Sequence, residues 1–300
     1  MKVYLNDPIA QSALGRLKSH VEIIDNFDHP EELDAIIVRQ QYCTEDVIRK
    51  AKRCKLIQQH GVGLDRIDVK VAEECGILVK NTPGGNSRSV AEYTVAMMLD
   101  LSRKVTEIDK KTRRGKLPRF GMPETIGSEI THKRLGLIGS GHIAHEVAQI
   151  CRDGFHMEIY CHSLHRSDAE IRKMGFIPMT FQEIFSACDY VSLHCLLTPE
   201  SYHLVDRKCF EDCNPNLILV NTARGGLVDE AALFEALVSK KIAAAGLDVF
   251  ECEPPSSDHP LLSLENFLAG MHVAGSTYEA MERNGKAVVD SVFEALGIDE

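Results

Sequence analysis

A chain of 300 residues, 44% hydrophobic and 26% charged, is long enough for two domains of ordinary size, each with its own core. The net charge of −10 argues against a nucleic-acid partner held by bulk electrostatics, and the scattered lysines and arginines form no basic run suited to a membrane surface. No apolar stretch reaches bilayer-spanning length, and Met1-Lys-Val-Tyr-Leu enters a strand-like pattern at once with no signal peptide, so the expected address is cytoplasmic. The ten cysteines stand at irregular spacings without the context of a zinc site; they read as reduced thiols, mostly small core residues, and no metal is expected.

From Met1 to about Val79, short apolar runs alternate with helix-length polar patterns: Val3-Tyr-Leu, Val21-Glu-Ile-Ile, Ala35-Ile-Ile-Val, Leu56-Ile-Gln and Ile77-Leu-Val. That alternation predicts a parallel sheet with helices on its faces. Gly61-Val-Gly-Leu-Asp65 follows a strand, so its glycines either expose backbone N–H groups at the carboxyl end of the sheet or simply make a strand-to-helix turn. Asn81 to Tyr93 reads as a turn and a capped helix start, and the apolar positions from Val90 to Leu101 suit a long buried helix that would bridge two domains.

Between about Lys104 and Lys133 the composition turns to Lys, Arg, Gly and Pro with little apolar periodicity, the pattern of a connection or an arm. A second fold then opens with Lys133-Arg-Leu-Gly-Leu-Ile-Gly-Ser-Gly-His-Ile-Ala144, which reads as strand, tight turn and helix. Gly139 lets the turn close, Gly141 lets the backbone approach a ligand without a Cβ in the way, and the helix start offers N–H groups and a positive dipole end to a pyrophosphate. Further strands are predicted at Met157-Glu-Ile-Tyr-Cys, Tyr190-Val-Ser-Leu-His, Leu217-Ile-Leu-Val-Asn, Ala243 to Val249 and Phe267-Leu-Ala, and a helix from Tyr278 to Leu296 that returns to the first domain.

Three stretches carry groups suited to chemistry. In Asn221-Thr-Ala-Arg-Gly-Gly-Leu-Val-Asp-Glu230 a guanidinium follows an apolar strand; it suits bidentate capture of a carboxylate, or equally an ion pair with Asp229 or Glu230. Gly246 to Pro255 ends a strand in an acidic loop, and Met271-His-Val-Ala-Gly-Ser-Thr277 sets a histidine among small residues. A carboxylate beside an imidazole orients it and favours its protonated form, which makes a general acid near neutral pH. Position alone does not select His272 among thirteen histidines.

Together Gly61-Val-Gly-Leu-Asp with Ile67-Asp68, Asn81-Thr-Pro-Gly with Ser89-Val-Ala-Glu, Gly136-Leu-Ile-Gly-Ser-Gly-His-Ile, Asn221 to Glu230, and Leu247-Asp-Val-Phe with Glu253-Pro254 resemble the D-isomer-specific 2-hydroxyacid dehydrogenases, which include glyoxylate/hydroxypyruvate reductases and phosphoglycerate dehydrogenase. The resemblance covers nearly the whole chain. It implies two doubly wound α/β domains: a flavodoxin-like substrate domain, residues 1–103 plus 275–300, and a Rossmann dinucleotide-binding domain, residues 104–274, with the active site in the cleft between them. It also implies a catalytic trio of Arg224, holding the substrate carboxylate and polarising the oxo group, His272, donating the proton, and Glu253, pairing with His272. Glu251, in the same loop, is taken as a solvated neighbour. By the same resemblance, backbone N–H groups of Val62 and Gly63 grip the substrate carboxylate and His142 and Ile143 meet the pyrophosphate. Asp248 contacts the nicotinamide amide, and Cys195, Thr222 and Ala223 line the cofactor cleft. The resemblance, together with the arm around Lys104 to Lys133, suggests a homodimer as well.

The chain departs from the family pattern at Gly270-Met271, where Thr-Pro is usual, at Leu196, where Pro is usual, and at His132, where Gly is common. Gln59 stands where phosphoglycerate enzymes resemble one another in having Arg, which favours a small unphosphorylated 2-oxoacid. Tyr160-Cys-His-Ser-Leu-His-Arg166 has no acid to accept from a ribose 2′-OH, whether His162 or Ser163 holds that position. Ser163 and Arg166, with His162 or His165 nearby, suit a 2′-phosphate instead, so NADP(H) is favoured over NAD(H). Phosphoglycerate dehydrogenase, formate or phosphite oxidation and a dinucleotide-sensing corepressor are the competing readings.

Overall fold

The computed structural model describes residues 1–116 and 122–299. Two compact units emerge, Met1–Asn86 with Ser276–Glu300, and Ser87–Gly275. Both are parallel α/β sheets with helices.

The first unit holds strands β1 (Lys2–Tyr4), β2 (Glu22–Ile24), β3 (Ala35–Val38), β4 (Leu56–Gln59) and β5 (Leu78–Lys80), with helices α1 (Gln11–Lys18), α2 (Glu45–Lys50) and α3 (Val69–Glu74) between them. Their order is β2-β1-β3-β4-β5, every neighbour parallel. β3 and β4 are buried along their whole length, as expected when both faces of a parallel sheet are covered; β3 is an unbroken apolar run, while β4 ends in buried Gln58 and Gln59.

The second unit begins with α4 (Ser87–Arg103), which packs on the helix and strands that follow it in the same unit. The sequence assigns residues 87–103 to the first domain; Met97 and Leu101 instead lie against Gly246, and buried Thr94 and Ser102 share hydrogen bonds with Thr222 and Tyr190. Next comes α5 (Val105–Arg113), a helix where the sequence predicts an irregular arm. It buries no residue and is laced by Lys111–Glu107 and Arg113–Asp109 pairs one turn apart, so it carries no apolar stripe to betray it. Residues 117–121 of the expected arm lie outside the described residues.

The dinucleotide-type sheet follows: β6 (Arg134–Ile138), α6 (His142–Phe155), β7 (Glu158–His162), α7 (Asp168–Lys173), β8 (Ile177–Pro178), α8 (Phe181–Ala187), β9 (Tyr190–Leu193), β10 (Ile218–Asn221), α9 (Glu230–Val238), β11 (Ala244–Leu247) and β12 (Phe267–Ala269). Its order is β12-β11-β10-β9-β6-β7-β8, all parallel, so the connection reverses direction between β6 and β9. Open α/β sheets hold ligands at such a switch point, outside the carboxyl ends of the strands. β8 has no counterpart among the strands predicted from sequence: two residues, one of them proline, at a sheet edge give no periodicity. Finally α10 (Tyr278–Leu296) rejoins the first unit, burying Val288, Val289, Val292, Phe293 and Leu296 in one cluster with Ala13 and Leu17 of α1.

Candidate active site

β6 ends at Ile138 and Gly139 turns the chain at φ +106, its N–H donating to the carbonyl of His162. A Cβ on Gly139 would stand 2.4 Å from the His194 carbonyl oxygen beyond β9, so the turn is pressed into the switch point. Gly141 caps α6 without a side-chain hydrogen bond, and the space a Cβ would fill there is open. His142 is exposed, Ile143 half-buried and Ala144 fully buried, the last allowing α6 to pack closely on the sheet. The uncapped helix start therefore presents N–H groups and a positive dipole end outward, chemistry suited to a pyrophosphate.

β7 ends at His162, directly opposite Ile138 in the ladder. Neither it nor Ser163 is acidic. Ser163 Oγ accepts the N–H of His165, and Arg166 is exposed. His145, one turn into α6, is held below the usual imidazole range by burial first, and then by the positive charges of His142 and Arg166. Arg166, four residues past the end of β7, and His142 thus both lie near His145. Half-buried Cys195 follows β9, its thiol pushed up to about 11 by burial. Leu196 beside it is 73% exposed. The ten cysteines are all free thiols.

After β10, Asn221 organises the next turn: its side-chain oxygen accepts the Ala223 N–H (3.0 Å) and its amide donates to the Arg224 carbonyl (2.8 Å). The Arg224 guanidinium is half-buried and donates to the Ala223 carbonyl. Asp229 and Glu230, the ion-pair partners that the sequence offers it, make bonds of their own. Asp229 caps α9 through the N–H groups of Ala231 and Ala232, and Glu230 meets His259. Thr222 is buried with its hydroxyl 2.9 Å from that of Thr94, while Ala223 is half-buried.

Asp248, just past β11, is 1% exposed. Its two carboxylate oxygens accept the N–H groups of Val273 (3.1 Å) and Ala274 (2.8 Å), and its carbonyl accepts that of His272 (2.6 Å). Burial raises its pKa, against the opposing pull of those two amides. These bonds hold His272 in the left-handed region at φ +54. The Gly270 departure has a local reason: a Cβ there would stand 2.1 Å from Asp248 Oδ1 and 2.9 Å from the Tyr93 hydroxyl. Tyr93, a neighbour that the sequence does not single out, is brought to this turn by α4.

His272 Nδ1 lies 2.8 Å from Glu253 Oε2, with 44% and 28% of the two side chains exposed. Glu253 Oε1 accepts the N–H of Phe250 at 3.2 Å. Glu251 is exposed, as expected of a solvated neighbour, and its carboxylate also meets His203 Nε2 at 2.8 Å and the Tyr202 hydroxyl at 3.4 Å. The carboxyl edge of this sheet thus gathers the turn holding Arg224 after β10, the loop holding Glu253 after β11 and the turn holding His272 after β12.

In the first unit, Val62 and Gly63 are half-buried in the loop after β4. Its carbonyls are taken: Asn81 Nδ2 donates to Val62 O (2.7 Å), and Thr82 donates to Gly61 O through its N–H (2.8 Å) and its hydroxyl (3.1 Å). Gln59 is buried, its amide donating to the Arg39 carbonyl.

Comparison with known proteins sets these features in a family. Residues 95–274 match the family model described as D-isomer specific 2-hydroxyacid dehydrogenase, NAD binding domain. A hydroxypyruvate reductase of Thermotoga maritima is 37% identical over 99% of this chain and 99% of its own length. A D-3-phosphoglycerate dehydrogenase of Archaeoglobus fulgidus is 36% identical over 97% of this chain but 56% of its own, so the chain spans about half the length of that relative. Among solved structures, the TT0316 protein from Thermus thermophilus aligns with a TM-score of 0.90 at 29% identity, covering 100% of this chain and 98% of that one. The chain belongs to the D-isomer specific 2-hydroxyacid dehydrogenases.

Proposed function

We propose that this protein is an NADPH-preferring reductase of small unphosphorylated 2-oxoacids. The observation that carries the reading is the 2.8 Å His272–Glu253 pair at the sheet edge that also bears Arg224. A relative matched over its whole length is named hydroxypyruvate reductase, which agrees with that substrate class. Buried Gln59 offers no cation to a phosphate.

The residues fit a dinucleotide: an uncapped α6 start behind a glycine with open space, and a β7 end that lacks an acid and carries Ser163 and Arg166. When bound, the reduced nicotinamide supplies a hydride to C2 of the oxoacid. Gly141, His142 and Ile143 would hold the pyrophosphate, Ser163 and Arg166 a 2′-phosphate, and Cys195, Thr222, Ala223 and Asp248 would border the nicotinamide end. Arg224 binds the substrate carboxylate and stabilises negative charge developing on the oxo oxygen. His272, protonated at Nε2 while Nδ1–H is held by Glu253, gives that oxygen its proton. In the first unit, the Val62 and Gly63 amides are the proposed carboxylate-binding groups.

We further propose a cytoplasmic homodimer. Val105, Met122 and Ile126, on α5 and the segment after it, are 60%, 41% and 61% exposed, apolar surface that a subunit contact would cover. A monomeric mass by light scattering would remove the dimer.

The functional test is turnover of glyoxylate, hydroxypyruvate, pyruvate and a bulkier 2-oxoacid, each with NADPH and NADH, followed by loss of reduced-cofactor absorbance. Turnover of the small acids with NADPH preferred is expected. Dinucleotide binding with no turnover of any of them overturns the reading and turns attention to a protein partner.

A further inference from the structure

Behind the His272–Glu253 pair stands a second glutamate–histidine pair. Glu230, the first residue of α9, has Oε2 2.9 Å from His259 Nε2, and its Oε1 accepts the N–H of Glu251 at 2.8 Å. Both side chains are largely buried, 14% and 20% exposed. His259 also packs its ring edge-on against Phe250, 5.6 Å between centroids. Phe250 and Glu251 begin the loop that ends in Glu253, and β11 has already finished at Leu247, so no strand ladder holds this loop. Its geometry depends on tethers.

Beside the packing of its Phe250 main chain on Gly225, three hydrogen-bond tethers among the described contacts act on it. Glu253 Oε1 closes the loop on the Phe250 N–H. The Glu251 carboxylate reaches His203, whose own N–H donates to the Gly226 carbonyl at 2.8 Å, two residues past Arg224. Glu230 takes the Glu251 N–H through its side chain. This last tether differs from the others in being anchored on a helix and oriented by a buried partner: the carboxylate must accept from both His259 and Glu251, which fixes its rotamer. An N–H to carboxylate bond is charge-assisted and stronger than a neutral one. A carboxylate in such surroundings is costly to bury without both donors.

We propose that Glu230, held by His259, is a positioning residue for the reaction: through the Glu251 N–H it sets the Phe250–Glu253 loop so that Glu253 meets His272. The proposal rests on the functional reading above, and its test separates the two. It predicts dependence on Glu253 itself. kcat and KM would be measured for the wild type, Glu230→Leu, Glu230→Gln, Glu253→Gln and the Glu230→Leu/Glu253→Gln double variant, on the oxoacid that the wild type reduces best. Displacing a reacting group by about an ångström costs on the order of 100-fold, so Glu230→Leu is expected to lower kcat by about 10- to 100-fold with KM for the dinucleotide unchanged. Glu230→Gln keeps an oxygen for the Glu251 N–H and should retain most of the rate. In the Glu253→Gln background the further loss from Glu230→Leu should shrink to about threefold or less, because coupled residues are not additive. An equal loss in both backgrounds, or no loss in the single variant, overturns the proposal.

If Glu230→Leu fails to fold, His259→Gln takes its place, with a smaller loss that must likewise vanish in the Glu253→Gln background. If the wild type reduces no oxoacid, the functional reading falls alone, and a crystal structure of Glu230→Leu decides: loss of the 2.8 Å His272–Glu253 contact is expected, and its persistence overturns the proposal.

Discussion

Gly225 lies directly against the main chain of Phe250: a Cβ at position 225 would stand 1.9 Å from the Phe250 carbonyl carbon and 2.4 Å from the Glu251 nitrogen. The turn after Arg224 and the start of the loop that carries Glu253 are therefore packed backbone to backbone, and that contact constrains the spacing of the two proposed catalytic groups alongside the loop's hydrogen bonds. Neither chain segment can yield as a flexible side chain would. Gly225→Ala is expected to cost stability by about 1–3 kcal/mol, the usual range for overpacking, and to lower turnover as well. A urea midpoint and a rate both equal to wild type would show that the contact is slack.

Replacing His272 removes the proposed proton donor at a site where 44% of the side chain is exposed, so folding should tolerate it. His272→Ala is expected to lose at least about 100-fold in reductase kcat, within the range for a general acid, while dinucleotide affinity stays near wild type. Fluorescence titration of the cofactor alongside steady-state kinetics checks both halves. Unchanged turnover would exclude His272 as the donor.

The end of β7 makes a prediction about cofactor choice. Arg166 is exposed, and its charge is felt by His145 on α6. Arg166→Ala should weaken NADPH by about tenfold, worth about 1.4 kcal/mol, and leave NADH nearly untouched. The ratio of kcat/KM for the two cofactors is the readout. An unchanged ratio would mean that the guanidinium does not meet a 2′-phosphate.

His60, at the carboxyl end of β4, is 5% exposed, and its pKa is lowered from 6.5 to about 4, by burial first and by the Arg39 charge second. The folded protein thus keeps this imidazole neutral where the unfolded chain would protonate it. The resulting stability is full above about pH 6.5 and is lost as pH falls from there towards 4. Between pH 8 and pH 5 the loss from this group is about 2 kcal/mol. His60→Gln should therefore flatten the decline in unfolding free energy over that interval by a similar amount, measured by urea denaturation at each pH. Parallel pH profiles for the two proteins would contradict the assignment.

Much of this architecture is legible in the sequence because it is written locally. Strand runs such as Ala35–Val38 and Tyr190–Leu193, each buried throughout, announce themselves as apolar segments, and α10 shows its buried stripe at helical spacing. The glycine turn after β6 is equally local, since a positive φ and a close backbone approach are properties that one residue type supplies. The elements that sequence reasoning misses have no such signature. α5 is stabilised by ion pairs along its own surface and buries nothing, and β8 is two residues on an edge.

The choice between Glu251 and Glu253 shows the division most clearly. The two carboxylates stand two positions apart in one acidic loop, and only the family pattern separates them in the sequence. In the folded chain Glu253 meets His272 across 19 positions, and Glu251 meets His203 across 48. The same holds for Glu230 with His259, for Gly270 against Asp248, and for the attachment of residues 87–103 to the second unit. By itself the sequence determined most of the elements, their parallel arrangement and the residue types available for chemistry, because propensity and periodicity act over a few residues. Which of those residues touch was decided by tertiary structure, since contacts between distant segments depend on how each loop leaves its strand and what already fills the space beside it.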